Sequence, residues 1–535
     1  MSFEIRSKDL LGRIGQLRTN HGIVETPLLL PVINPNNQLI SAREVRETFG
    51  FNAIITNSYL VWRRFRDGDP PKIHELLDFD GIIQTDSGAY QILQYGDVEV
   101  RPNDIVKFQE KLDSDIAVIL DVPTDQDVTK QRAKWTVDET LRRAKDAQQI
   151  ISRKDILWVG PVQGGVYPDL VAYSARETAK LGFQIHALGS PTTVMQQYHF
   201  DKMVDMIMAA KLNLPPDRPL HLFGAGHPMM FALAVATGCD IFDSASYALF
   251  ARNDRYLTTQ GTAKVEDLEY FPCSCSVCYQ RTPQELRKML KFERERLLAS
   301  HNLRVCYSEL QTVKQAISDG RLWELVEARS RGHPALMRAF HRLLTYAPHF
   351  ERETPVRKKK GPFLLSEESL NRPEILRHQH RLIQNYVSPE KSRYVILLPD
   401  KYLEPFRQNS ENNSLNRILR KPELHLCSYN LAFGVIPNEL ADVYPLSQTE
   451  DSLEPTAAIL RNASTRIVEW LRRSSYLYAI IVVEETWQLK IAGTIRKHVR
   501  KPKVKIIEAV ADDELATKIL EACVKPKKRR AKGIK

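Results

Sequence analysis

Between residues 28 and 243, short apolar runs recur roughly every 20–40 positions. They read LLLPVI (28–33), FNAIIT (51–56), GIIQT (81–85), IAVIL (116–120), ILWVG (156–160), FQIHAL (183–188), LHLFG (220–224) and CDIFD (239–243). Between them lie segments with helical spacing of apolar residues, among them 104–112 and 137–151. A short buried run feeding an amphipathic helix is a βα unit, and its repetition predicts a parallel sheet. Eight such units in about 220 residues predict a (β/α)8 TIM barrel, an α/β fold. A doubly wound open sheet is the alternative, but no GxGxxG turn follows an early strand.

Just past the apolar runs stand Asn57-Ser58, Asp86-Ser87-Gly88, Asp121, Gln163-Gly164-Gly165, Gly189-Ser190, Gly224-Ala225-Gly226 and Asp243-Ser244. Barrel enzymes carry their chemistry at the C-terminal ends of the strands, so these residues would line one mouth. Polar, glycine-rich loops follow strands in any fold, but here they recur on nearly every strand. Asp86 and Asp243 fall on the third and eighth strands. Two carboxylates facing one sugar can divide a glycosidic exchange into nucleophile and acid/base. Each could equally be the N-cap of a following helix.

The rest of the chain divides by pattern. Residues 1–27 suggest a short antiparallel cap, and 28–350 the barrel with a metal-binding subdomain at about 270–305. A helical stretch over 283–346 leads to a basic linker, 351–362. Residues 363–523 read as a smaller α/β accessory domain, with strands at 393–399, 424–428, 433–437 and 478–483 and helices at Ala457–Arg473 and Asp512–Cys523. QNSENNSLN (408–416) is a polar loop, and 524–535 a basic tail.

Composition narrows the function. Of 535 residues, 43% are hydrophobic and 26% charged, which excludes disorder and fibrous repeats for the chain as a whole. No apolar stretch of membrane-spanning length occurs and the N-terminus lacks a signal-peptide core, so no membrane association is expected. Three of the seven Cys crowd into 273–278, which favours a metal site in a reducing, cytoplasmic compartment over a disulfide framework. Lys and Arg exceed Asp and Glu by 76 to 65, and the excess clusters. The tail KPKKRRAKGIK, the run Arg357-Lys358-Lys359-Lys360 and seven cations over 490–505 suit phosphate contacts. Each cluster alone reads equally well as a solvated surface.

Cys273, Cys275 and Cys278 have the spacing CxCxxC, and His301 follows Cys278 by 23 residues. Three thiolates and an imidazole complete a tetrahedral Zn2+ shell with no open position, so the expected role is structural.

The motif TDSGAYQ (85–91), the segment FDSASYALFARNDRYLT (242–258), and CxCxxC followed by His301-Asn302-Leu303 together resemble the tRNA-guanine transglycosylases. The archaeal branch, which acts in archaeosine biosynthesis, is the nearer likeness, and it covers about residues 1–345. LCSYNLAFGVIPNELADVYPLSQTE (426–450) looks like the accessory domain of those archaeal enzymes and of archaeosine synthase. The resemblance implies a pentosyltransferase that replaces guanine in tRNA, at position 15 of the D-loop, with 7-cyano-7-deazaguanine through a covalent glycosyl-enzyme. By motif, Asp243 would be the nucleophile and Asp86 the general acid/base, with Asp86 the alternative nucleophile. Tyr90 would stack on the base, and Asp121 would accept from guanine N1 and its exocyclic amine. Gln163 would contact the carbonyl or N7 region, Ser190 would offer a backbone N–H, and Ser87 would complete the pocket. Dimers are common in the family, so a homodimer is expected.

The chain departs from the family at three places. Ala89 stands where many relatives have a second glycine, and Gly189-Ser190-Pro191 where relatives usually show Gly-Gly. The RNA-binding PUA domain that often ends the archaeal enzymes is not evident, which makes a separate PUA-domain protein a candidate partner. The competing reading is a non-exchanging paralogue, either an archaeosine-synthase-like amidotransferase or a noncatalytic tRNA-binding subunit; the presence of both Asp86 and Asp243 favours catalysis. A glycoside hydrolase would also use two carboxylates, but the purine-edge residues argue against it.

Overall fold

The computed structural model describes residues 2–66, 68–89, 100–400, 421–509 and 512–523. The chain divides into two compact units, Met1–Pro355 and Val356–Lys535. The first opens with an antiparallel sheet of β1 (Phe3–Asp9), β2 (Gly12–Thr19) and β3 (Gly22–Thr26). Eight parallel strands then close into a barrel: β4 (Leu28–Ile33), β5 (Ala53–Asn57), β6 (Ile82–Asp86), β7 (Ile116–Val118), β8 (Leu157–Val162), β9 (Ile185–Leu188), β10 (Leu220–Leu222) and β11 (Ile241–Ser244). Each apolar run of the sequence supplies one of them, and helices alternate with them along the chain.

Strands covered by helices outside and filled by side chains inside have no solvent face, which is why they read as continuous apolar runs rather than alternating ones. Inside, Leu28, Ala53, Ile82, Ile116, Leu157, Ile185 and Ile241 pack as one cluster near the strand starts. Phe3, Leu17 and Val24 of the N-terminal sheet belong to the same cluster, so that sheet closes the barrel floor. A buried ion pair holds it there: Arg13 on β2 donates to both carboxylate oxygens of Asp240, from Nε at 2.7 Å and Nη2 at 2.8 Å. Asp240 precedes β11 and also accepts from the Leu220 amide at 2.8 Å.

Side chains alternate along a strand, so Gln84 and Asp86 share the inward face with Ile82, and Asp243 shares it with Ile241. The barrel interior therefore changes from apolar at the floor to polar at the mouth. Beyond β11 come the hairpin β12 (Arg255–Thr258) and β13 (Gly261–Lys264), the cysteine cluster, and the helix Lys291–Asp319. That helix buries Leu298, Leu303, Leu310 and Val313, and stops at Gly320, whose φ of 75° few other residues adopt.

In the second unit, β14 (Phe363–Leu364) pairs with β18 (Glu450–Asp451). A five-stranded sheet runs in the order β17 (Gly434–Pro437), β16 (Leu424–Asn430), β15 (Tyr394–Pro399), β19 (Tyr478–Val483), β20 (Lys503–Glu508), parallel except for β17. Ile467, Leu471, Ile491 and Ile495 cover one face, and Leu515, Ala516 and Ile519 the other. Two features were hidden by charge. The edge strand β20 carries Lys503 and Lys505 within a run read as a basic cluster. Lys358, read as part of a basic linker, is buried against Glu374 at 2.5 Å, and buried Arg372 also reaches Glu374, at 3.3 Å. The loop 408–416 and the tail 524–535 lie outside the described residues. Among the described residues no helix is long and apolar enough to cross a membrane.

Candidate active site at the mouth of the barrel

Asp86 ends β6 opposite Asn57 of β5. Asn57 spends its amide twice: Oδ1 caps the helix Ser58–Arg64 by accepting from the Leu60 amide at 3.0 Å, and Nδ2 donates to Asp86 Oδ2 at 3.2 Å. The cap thus fixes which end of the amide faces the carboxylate. Gly88 adopts φ of 92°, and the Ser87 and Gly88 amides both hydrogen-bond to the Asp86 carboxylate. Ser87 itself is buried and donates from Oγ to the Ile119 carbonyl at 3.1 Å. Burial, followed by the charges of Asp121 and Asp243, pushes the Asp86 pKa up to about 7 despite those amides.

Asp243 lies on β11, separated from β6 by β4 and β5 in the barrel order. Its Oδ1 accepts from the Gly224 amide at 2.8 Å and sits 3.0 Å from His221 Nε2. His221 is wholly buried on β10, and its Nδ1 faces the Gln84 side-chain amide Nε2 at 3.4 Å. An amide N–H toward Nδ1 and a carboxylate toward Nε2 require the tautomer protonated on Nε2. Gln84, His221 and Asp243 form one inward-facing polar chain. Asp243 does not cap the helix that follows its strand: Ser246–Arg252 has no side-chain cap at its N-cap residue, Ala245.

The remaining predicted residues meet around Gln163. Its Oε1 accepts from the Thr124 amide at 3.0 Å and from Ser190 Oγ at 3.0 Å, while Nε2 donates to Asp121 Oδ2. Ser190 Oγ in turn accepts from the Thr124 amide at 2.9 Å. Ser190 adopts φ of 67°, so the left-handed turn expected of glycine is retained here by serine. Gly189 is required by contact: a Cβ there would lie 2.1 Å from Gln163 Nε2. Asp121 is buried, and that burial lifts its pKa to about 6 against the Gln163 hydrogen bond. Tyr90 lies outside the described residues.

Away from the mouth, the ligand atoms of Cys273, Cys275, Cys278 and His301 all fall within 4.8 Å of one another. Cys275 Sγ is 3.6 Å from Cys278 Sγ, and His301 Nδ1 is 3.5 Å and 3.4 Å from those two sulfurs. Ligand bonds of about 2.3 Å to sulfur and 2.0–2.1 Å to nitrogen at tetrahedral angles place ligand atoms about 3.6–3.8 Å apart, so the cluster fits a metal ion. His301 Nε2 lies 3.0 Å from the Leu257 carbonyl, which puts the proton on that nitrogen and turns the Nδ1 lone pair to the sulfurs.

Residues 8–335 match the family model described as queuine tRNA-ribosyltransferase, TGT. The chain belongs to this family. Among curated relatives of this TGT chain, a Thermococcus kodakarensis protein named tRNA-guanine(15) transglycosylase is 49% identical over 382 residues, covering 71% of this chain and 65% of that protein. Proteins of the same name are 43% identical in Pyrobaculum aerophilum, covering 86% of this chain and 92% of theirs, and 39% identical in Sulfolobus acidocaldarius, covering 89% and 93%. The match thus spans slightly under two thirds of the Thermococcus protein's length. In this TGT chain the structure brings Asp86, Ser87, Asp121, Gln163, Ser190 and Asp243 to the C-terminal ends of the barrel strands and groups the four metal-type ligands elsewhere. Sequence reasoning missed His221 and Gln84. Their signal was a polar residue inside an otherwise apolar strand run, at the inward parity of Asp243 and Asp86.

Proposed function

We propose that the chain is a tRNA base-exchange enzyme, replacing guanine at position 15 with 7-cyano-7-deazaguanine on the route to archaeosine. The observation that carries this reading is the unequal setting of two carboxylates at one mouth. Asp86, with its pKa near 7, retains a proton that a departing base can take. Asp243 takes the His221 and Gly224 hydrogen bonds on Oδ1, which leaves Oδ2 to attack. Paired carboxyl groups in different surroundings divide acid/base work from nucleophilic work.

In the first displacement Asp243 bonds to the ribose anomeric carbon as the C–N bond to guanine breaks, and Asp86 gives its proton to the base nitrogen that takes the electron pair. In the second, the incoming base returns a proton to Asp86 and displaces Asp243. Two inversions restore the original configuration. Asp121 would accept from N1 and the exocyclic amine of the base, and Gln163 contributes the second proton of its Nε2. Tyr90 would stack on the ring. Cys273, Cys275, Cys278 and His301 would hold one Zn2+, whose closed shell supplies rigidity to the segment after β13.

The test is incorporation of labelled guanine and labelled 7-cyano-7-deazaguanine into unmodified tRNA transcript, with the modified position mapped. Wild type incorporates both, and Asp243→Ala and Asp86→Ala incorporate neither. A folded wild type that incorporates neither base would favour the non-exchanging paralogue instead.

A further inference from the structure

A second group of ligand-type side chains lies at the barrel floor, away from the mouth. His21, in the turn between β2 and β3, places Nδ1 2.9 Å from Asp115 Oδ1, and His74 places Nε2 3.1 Å from Asp115 Oδ2. The three donor atoms all lie within 4.8 Å of one another. Asp115 immediately precedes β7, so it sits at the opposite strand end from Asp86 and Asp243. Its buried carboxylate is held by the Ile83 amide at 2.9 Å and the His21 amide at 3.3 Å.

The protonation pattern is informative. His74 Nδ1 lies 2.9 Å from the Phe79 carbonyl, which can only accept, so Nδ1 carries the proton. In the neutral ring Nε2 then presents a lone pair to Asp115 Oδ2, 3.1 Å away, with no donor between them. A carboxylate oxygen stands beside it. Two electron pairs turned toward one point call for a cation between them, either a proton or a metal ion. An outer carbonyl that fixes the tautomer is also the usual support of a metal-binding histidine. The rings of His21 and His74 stack with centroids 3.8 Å apart. Two imidazolium ions so placed would repel, so at most one ring takes a second proton, whereas one divalent ion serves both in their neutral form.

We propose that His21, His74 and Asp115 form a second metal site, for a borderline divalent ion such as Zn2+, that pins the N-terminal hairpin to the barrel floor. Two imidazoles and a carboxylate suit that ion, and the half-exposed His21 ring has room to turn its nitrogen onto it. The role is structural, since the site faces away from the reacting carboxylates.

Full-length protein, dialysed against Zn2+ and passed through gel filtration, is analysed for zinc per chain by elemental mass spectrometry. The expected counts are two for wild type and one each for His21→Ala and His74→Ala. Loss of one ligand should weaken the second ion more than the ~10–100-fold typical of losing an outer partner. His21 is exposed, so its variant folds even if His74→Ala does not. In wild type the second equivalent raises the melting temperature, and in His21→Ala it does not. A second Co2+ ion should add absorption without a new thiolate charge-transfer band. A wild-type count of one, an unchanged count in His21→Ala, or a thiolate band for the second Co2+ would each overturn the proposal.

Discussion

His221 lies 3.0 Å from Asp243 through Nε2, and the two residues stand on adjacent parallel strands, β10 and β11. The imidazole is buried behind the carboxylate, with Gln84 facing its other nitrogen, so its donor is aimed at one carboxylate oxygen. A hydrogen bond to a charged group is worth about 1.5–3 kcal/mol. His221→Leu should therefore lower kcat by roughly 10–100-fold with little change in KM for tRNA or base. His221→Gln, whose amide can still donate, should recover part of the loss. Steady-state kinetics on both variants tests this, and a Gln variant no better than Leu would reduce His221 to packing.

The pH dependence follows from Asp86. In the folded chain it keeps its proton to about pH 7, whereas an ordinary aspartate releases it near 3.8. Between those values the folded state binds more protons than the unfolded one, so this group's contribution to stability falls as pH rises through that window. Asp86→Asn should stabilise the fold above pH 7 by up to ~4 kcal/mol, with no gain near pH 4. Denaturant unfolding at the two pH values measures it, and equal gains at both would contradict the assignment.

On the proposed mechanism the same proton goes to the departing base. The kcat/KM for tRNA should decline above about pH 7. A profile flat to well above that value would remove Asp86 as the acid.

Cys275→Ser should lose the ion held by the four-ligand cluster. The expected drop in melting temperature is on the order of 10 °C, as several kcal/mol of folding energy go with the metal. Elemental analysis beside thermal unfolding tests this, and a metal-free variant as stable as wild type would exclude a structural ion.

Asp240→Ala strands the buried Arg13 guanidinium and should cost about 3–5 kcal/mol. The double variant Arg13→Met, Asp240→Leu should cost much less, because no unpaired charge remains. Chemical unfolding of both resolves the point; similar losses would show that shape rather than charge matters there.

Much of this was legible in the sequence, for physical reasons. All eight barrel strands are buried on both faces, which forces apolar runs whatever the loops do, and Asp86 and Asp243 stand at the ends of two of them. Four ligands drawn from 273–301 are held by local geometry and by one helix, so spacing reveals them. His221 and Gln84 did not emerge because their meaning depends on which strands are neighbours around a closed barrel. Lys358 misled because a run of basic residues records composition, while burial against Glu374 is set by a helix sixteen positions later. Ser190 is the converse case: its φ of 67° is one that the residue type alone argues against.

β20 ends its sheet with Lys503 and Lys505 among Val504, Ile506 and Ile507. The same lysines that kept the segment from reading as a strand also make this edge strand a poor template for another chain: Lys503 is exposed, and pairing there would take its ammonium from water and disturb Lys505, whose ammonium donates to the Ala522 carbonyl. Replacing both with valine would sharpen the strand signal and, at the same time, create a surface that recruits strands. Self-association seen by light scattering in that variant, and not in wild type, would identify the lysines as a guard against aggregation.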